Sequence, residues 1–223
     1  MATTQRMGEN ERTDGREERS DRTVQMLIQS ARSAFASVGF AAASVRDIAG
    51  DAGVNPALVR YHFGSKDGLY RRVLGETMSQ LSDRLRAAFR PDGSPRERIT
   101  RAIAAYLDHL AEHRDTPRLI QRALLDADPT VREIVNAHHR PLLQALEPFQ
   151  AGELVTLHVS AIEEAVTSLF GAIVAPFLYA PVLTELFGHD VLSPEAMDRR
   201  RQHISALVEF TLDQLLPSEL GHA

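Results

Sequence analysis

The residues best placed for chemistry stand between positions 44 and 66, SVRDIAGDAGVNPALVRYHFGSK. Ala57, Leu58, Tyr61 and His62 recur at spacings of three and four, which sets them on one side of a helix. That side offers small and apolar groups, a phenol and an imidazole, with the cations Arg60 and Lys66 beside it. Small apolar groups suit thymine methyls, and the polar and cationic groups suit phosphate oxygens. Val59 and Phe63, four apart, fall on the other side with Val54 before them and can pack inward.

The flanking residues dictate the elements that hold this surface. Ser44 is a good N-cap, and Asp47 completes an S-x-x-D capping box. Val45, Ile48, Ala49 and Ala52 give a first helix one apolar side, and Gly53 supplies the left-handed residue that ends it. Asn55 then caps a second helix with Pro56 at its first position, where the missing N–H costs nothing. Helix, glycine-containing turn, helix is the helix-turn-helix pattern. Upstream, Asp21 can cap a supporting helix with Val24, Leu27, Ile28, Ala31, Phe35 and Val38 at helical spacing and Gly39 at its end. The three helices make a small bundle. A helical hairpin buried in a core would share the turn, but not this mixed polar surface.

Segment 44–66 resembles the DNA-binding motif of the TetR family of bacterial repressors. The resemblance is carried by Ser44, Ile48, Ala49, Ala52, Gly53, Val54, Tyr61, His62, Phe63, Lys66 and Leu69, and with the preceding helix it extends over about 23–74. Asp128-Pro129-Thr130 and the stretch 138–143 look loosely like the CecR branch. Arg60 departs from the pattern, since many members have Tyr there. The residues expected to meet DNA are Ser44, Arg46, Asn55, Pro56, Ala57, Leu58, Arg60, Tyr61, His62 and Lys66. Tyr61 and Lys66 are expected on phosphates, Ala57 and Leu58 on DNA shape or a thymine methyl. By the resemblance, Arg46 approaches a base edge, and the role of Arg60 is open.

Charge agrees with that placement. The chain carries −5 overall, yet residues 22–75 hold 7 basic and 3 acidic side chains, while the segments before and after are net acidic. Phosphate binding requires positive charge where the motif is. Lys66 is the only lysine; every other side-chain cation, histidine apart, is arginine. There is no cysteine, which excludes disulfides, thiolate metal sites and a cysteine nucleophile. Residues 1–20 are charged throughout, with no apolar core of a signal peptide, and are expected as a disordered tail. A cytoplasmic protein is expected.

The rest of the chain reads as helices opened by a capping residue followed by proline: Ser94-Pro95 with Glu97 completing a capping box, Thr116-Pro117, Asp128-Pro129 and Ser193-Pro194. Before them, Ser65 caps a long fourth helix to about Arg90. It presents Leu69, Val73, Leu81, Leu85 and Phe89 on one side. The fifth reaches about Glu112, the sixth about Asp126, and the seventh about Glu147 with a kink at Pro141. The eighth starts near Glu153, and the ninth runs to about Leu216 with Ile204, Leu207, Val208, Thr211 and Leu215. Residues 165–184 form a run without charge that invites comparison with a membrane span. Pro176, Pro181 and acidic flanks favour a buried helix broken near Pro176. No segment alternates with period two, so the expected fold is all-α: an N-terminal three-helix bundle (21–66), a larger helical domain (67–217) and short tails (1–20, 218–223), about nine helices.

Catalytic motifs are missing: no G-x-S-x-G, no phosphate-cradling glycine loop, no H-E-x-x-H. His109 and His113, at i and i+4, could share a metal with Asp108 or Glu112, or could simply suit a helix C-terminus. Glu163 and Glu164 read as solvent-facing or interfacial. No enzyme and no cofactor is expected. The reading is a homodimeric regulator that binds a palindromic operator in double-stranded DNA and is released by a small apolar or amphipathic ligand. The TetR resemblance implies that the last two long helices form the dimer interface. It also implies a ligand pocket among helices four to eight, whose occupation tilts helix four. Residues there with suitable spacing are Leu85, Phe89, Ile103, Tyr106, Leu107, Leu124, Val135, His138 and Phe170, with Tyr106 and His138 as polar handles. A DNA-binding regulator without a small ligand and a metal-dependent enzyme on a helical bundle stay open as alternatives.

Overall fold

A computed structural model describes residues 2–90, 92–125, 132–134, 136–137 and 159–215. The expected seventh helix, the start of the eighth, and stretches 128–130 and 138–143 fall outside these residues. Among the described residues the chain is helical and has no strand. It divides into two compact units, 1–76 and 77–223, with the division inside the fourth helix rather than at its start.

In the first unit, α1 (Ala2–Ala42) packs on α2 (Val45–Asp51), followed by α3 (Ala57–Phe63) and the first half of α4 (Lys66–Ala88). Helix α1 begins well before Asp21, running from Ala2. Residues 2–20 contain no proline, and their four Arg and four Glu residues are good helix formers. The helix breaks where expected, at Gly39, with φ 82° and ψ 170°. Leu27, Ala31, Phe35, Ile48, Ala49, Val59, Leu69, Val73 and Leu74 are buried together with Tyr70. The Tyr70 ring meets Phe35 edge-on at 4.9 Å and Phe40 at 4.9 Å. That aromatic cluster explains why the first turns of α4 belong to this unit.

The second unit holds the rest of α4, then α5 (Pro95–Glu112), α6 (Thr116–Leu125), α7 (Val159–Leu178), α8 (Ala180–Phe187) and α9 (Pro194–Leu215). Helix α5 opens with the capping box read from the sequence, Ser94 and Glu97 bonding reciprocally. These bonds, first the backbone N–H of Ser94, hold the Glu97 carboxyl below its usual range. Helix α6 starts one residue earlier than expected. Thr116 lies inside it and is buried, so its hydroxyl is not the cap.

One core joins α5, α7, α8 and α9 through Leu107, Leu110, Ile173, Val174, Phe177, Ala180, Met197, Ile204, Val208 and Leu212. Polar bonds fix its edges. Arg96 reaches Glu209 and Asp213, each at 2.5 Å, and Arg201 pairs with Asp108. Arg84 grips Glu112 with both amino groups, at 2.5 and 3.0 Å, and this hydrogen bonding holds the Glu112 carboxyl below its ordinary value. Arg101 donates to the carbonyls of Ala88, Arg90 and Asp92, satisfying acceptors that the end of α4 leaves open.

The uncharged run 165–184 bends by 77° between α7 and α8. Pro176 is accommodated inside α7, and the break comes at Tyr179, because Pro181 lacks the N–H that would continue the ladder to the Phe177 carbonyl. Arg118 of α6 supplies that donor instead, its Nε lying 3.3 Å from Phe177 O. Only one side of the run is buried: Ile173, Val174 and Phe177 point inward, while Val166, Phe170, Tyr179 and Val182 are exposed. Among the described residues no single helix is long and apolar enough to cross a membrane.

Candidate nucleic-acid interface

The turn between α2 and α3 forms as its residue types require. Ser44 Oγ accepts from Asp47 N at 3.0 Å and starts α2. At the other end Gly53 adopts φ +67°, Val54 N donates to Ala49 O at 2.9 Å, and Gly53 N donates to Gly50 O at 3.1 Å. These two bonds are a Schellman motif, which needs a residue without Cβ strain at the position of Gly53. Asn55 Oδ1 then accepts from Ala57 N at 2.8 Å, with Pro56 in helical conformation just before the first residue of α3. The backbone of the motif is therefore set by bonds within a few residues.

Two contacts that the sequence reading missed hold the motif in place. Ser30, buried on α1, turns its hydroxyl toward Ile48 O (2.8 Å) and Asp51 Oδ2 (2.7 Å), tying α1 to the end of α2. Gly68 lies so close to the end of α3 that a Cβ there would come within 2.1 Å of Phe63 O. The only sequence signal for it is a glycine in the first turn of a long helix, capped by Ser65 Oγ accepting from Gly68 N at 3.0 Å.

The surface of α3 is rotated slightly from the expected one. Ala57, Arg60 and Tyr61 are exposed, Tyr61 by 80%, whereas Leu58 and His62 are half-buried. Val59 is buried as expected, and Phe63 is half-buried. The rings of Tyr61 and His62 meet edge-on at 4.7 Å. Asn55 and Pro56 are exposed at the start of the helix, Arg46 is exposed on α2, and Ser44 is half-buried as its cap. No side chain among the described residues bonds Arg46 or Arg60. By contrast, Arg71 and Arg72 are paired with Asp67 and Glu76.

Lys66 is less free than expected. Its Nζ donates to Ala43 O at 2.7 Å and Ala41 O at 3.3 Å and lies 4.6 Å from the centre of the Phe40 ring. An ammonium has three protons, so one remains for a phosphate.

The expected ligand-lining residues separate into groups. Leu107 is buried in the second unit's core, with Ile103 and Tyr106 packed against it. Burial raises the pKa of the Tyr106 hydroxyl, which keeps it a neutral phenol. Leu85 is buried and Phe89 half-buried near the end of α4, where Arg98 stacks on the Phe89 ring at 5.0 Å. Leu124 and Phe170 are exposed by 44% and 52%, on outer surfaces rather than in that cluster. Val135 and His138 lie outside the described residues. His109 is buried with its ring 4.7 Å from that of His113, while Glu112 and Asp108 are engaged by arginines. Among the described residues no group of three His, Cys, Asp or Glu side chains could hold a metal ion.

Comparison with known proteins places this architecture. Residues 27–73 match the family described as bacterial regulatory proteins, tetR family. The chain is 30% identical over 118 residues to the probable HTH-type transcriptional regulator YttP of Bacillus subtilis (strain 168), covering 52% of this chain and 57% of YttP. The chain thus spans little more than half the length of that relative. It is 31% identical over 186 residues to the HTH-type transcriptional repressor Rv3405c of Mycobacterium tuberculosis (strain ATCC 25618 / H37Rv), covering 82% of this chain and 85% of the repressor. The fold matches the crystal structure of a TetR-like transcriptional regulator from Rhodococcus sp. RHA1 with a TM-score of 0.61 at 22% identity, covering 85% and 95% of the two chains. A helix-turn-helix of this geometry and a repressor aligned along most of both lengths lead to one conclusion: the chain belongs to the TetR family of bacterial helix-turn-helix transcriptional regulators.

Proposed function

We propose that the chain is a homodimeric repressor that binds a palindromic operator in double-stranded DNA and leaves it when a small apolar or amphipathic molecule binds the second unit. The observation that carries the DNA reading is the pair of exposed guanidiniums, Arg46 and Arg60, unbonded among the described residues. They stand in the segment with net positive charge. Arg46 grips a base edge, Tyr61 and the remaining proton of Lys66 meet phosphates, and Ala57 and Leu58 let the DNA approach closely. Ser44, Asn55, Pro56 and His62 flank this surface. A cytoplasmic location goes with that role.

Dimerisation through the last two long helices draws on the apolar side chains that their own unit's core leaves exposed. Ile204 and Val208 are consumed by their own subunit's core, because a helix has one inward stripe and α5 and α7 already fill it. The apolar side chains left outward are Val166 and Phe170 on α7 and Phe210, 64% exposed, on α9. A two-fold dimer that reads both halves of a palindrome requires recognition helices about 34–36 Å apart, or a multiple of that. The ligand reading is supported by the apolar groups of α5, Ile103, Tyr106 and Leu107, and by Leu85 and Phe89 near the end of α4. Occupation of such a site favours a conformer with α4 tilted.

The test is selection of duplexes from a randomised pool, followed by binding to the selected and a scrambled duplex across a salt series. The chain is expected to enrich a palindrome and to bind it as two copies by sedimentation. Arg46→Ala is expected to cost about 1–3 kcal/mol on the selected duplex and much less on the scrambled one. Equal losses on both duplexes would show that Arg46 only adds charge, and a monomer on a non-palindromic site would sink the dimeric reading.

A further inference from the structure

We infer that Arg60 reads a guanine in the major groove and is the residue that sets this chain's operator preference. The inference rests on the DNA-binding reading above and goes beyond it by assigning one base edge to one side chain.

The geometry of α3 singles it out. The side of α3 that faces solvent runs through positions 57, 60 and 61, at spacings of three and four from the first, and Gly64, left-handed at φ +76°, follows the end of the helix. Ala57 contributes only a methyl, and Gly64 nothing at all; a Cβ built on Gly64 would meet no atom within 4 Å. Ala57 one turn before Arg60 and Gly64 just past the helix end are thus both short, so the helix backbone can come near a groove floor at that point. Tyr61 is held to one side by its edge-on contact with the His62 ring at 4.7 Å. Leu58 and His62 are turned half inward. Arg60 is then the only long side chain on the stripe that is not packed against a neighbour in its own helix.

Its chemistry fits one base edge. A guanidinium presents two parallel N–H groups, which match O6 and N7 of guanine in the major groove. No carboxylate among the described residues competes for it, whereas Arg71, Arg72, Arg84, Arg86, Arg96, Arg101 and Arg201 all carry an acidic partner. A residue whose purpose was only to add positive charge would not require the centre of the stripe or short neighbours on either side.

The experiment uses the full chain and a randomised duplex pool. Wild type, Arg60→Ala and Arg60→Lys are each taken through selection. The best wild-type duplex is then remade with each guanine in turn replaced by 7-deazaguanine, which removes N7. Because the Arg60 side chain is exposed and bonds no side chain in its unit, the variants keep the fold, and circular dichroism checks this. Wild type is expected to prefer one guanine per half-site that neither variant prefers. Replacing that guanine is expected to weaken wild type about 5- to 150-fold and to leave Arg60→Ala unaffected. Arg60→Lys should retain affinity for scrambled duplex while losing the guanine. If Arg60→Ala selects the same sequence as wild type and weakens on every duplex alike, Arg60 is a phosphate contact and the inference is overturned. If wild type enriches no sequence at all, the DNA-reading function itself fails, and this inference with it; the two failures are therefore told apart.

Discussion

Gly68→Ala should disable the DNA-reading unit although the added atom is a single methyl. The Cβ would stand 2.1 Å from the Phe63 carbonyl oxygen, and that oxygen belongs to backbone at the end of α3, not to a flexible side chain. Relief requires α3 and the first turn of α4 to part. Leu69 and Val59, both fully buried, resist this. Overpacking ordinarily costs about 1–3 kcal/mol, and a backbone clash belongs at or above the top of that range. Urea unfolding followed in the first unit should show the loss of stability, with sequence-selective binding lost in parallel. Gly75, where a Cβ would meet nothing within 4 Å, is the control: Gly75→Ala should be neutral or slightly stabilising. Equal effects at the two glycines would show that the close approach at Gly68 has no energetic weight.

Lys66→Ala should affect stability and DNA binding together. The ammonium links the carbonyls of Ala41 and Ala43 to the start of α4 and sits on the Phe40 ring. Hydrogen bonds from a charged donor are worth about 1.5–3 kcal/mol, so a destabilisation of that order is expected. The remaining proton and the charge serve phosphate, so the salt dependence of binding should flatten by roughly one counterion. Lys66→Met keeps the apolar stem and should lose nearly as much. A variant that keeps its unfolding midpoint and loses only the counterion would show the cradle to be incidental and Lys66 to be a free phosphate ligand.

What the sequence made legible follows the range of the interactions. Ser44, Gly53, Asn55 and the Ser94–Glu97 box act on backbone within three or four residues, so residue type and spacing were enough to place them. The cradle of Lys66 joins residues 23 and 25 apart, and Arg118 meets the Phe177 carbonyl 59 residues away. No local pattern announces either contact. The surface of α3 was read one step around the helix from where it lies. In a helix of 7 residues the docking of Val59, not the helical period, decides which side chains turn half inward. The stripe on α9 was seen correctly as apolar, but apolarity alone does not say whether a helix packs on its own subunit or on another. Ile204 and Val208 went to the first use, and Phe210 stayed exposed.

The outward stripe of α3 has a consequence for how regulators of this kind diverge. Ala57, Arg60 and Tyr61 carry almost none of the unit's packing, so replacing them should change folding stability by no more than about 0.5 kcal/mol in either direction. The positions that fix the frame, Gly53, Val59 and Gly68, admit almost no change. Mutational freedom and sequence discrimination thus fall on the same three residues. A duplicated copy of such a gene could wander to a new operator by single substitutions, every intermediate still folded, with the scaffold beneath it left untouched.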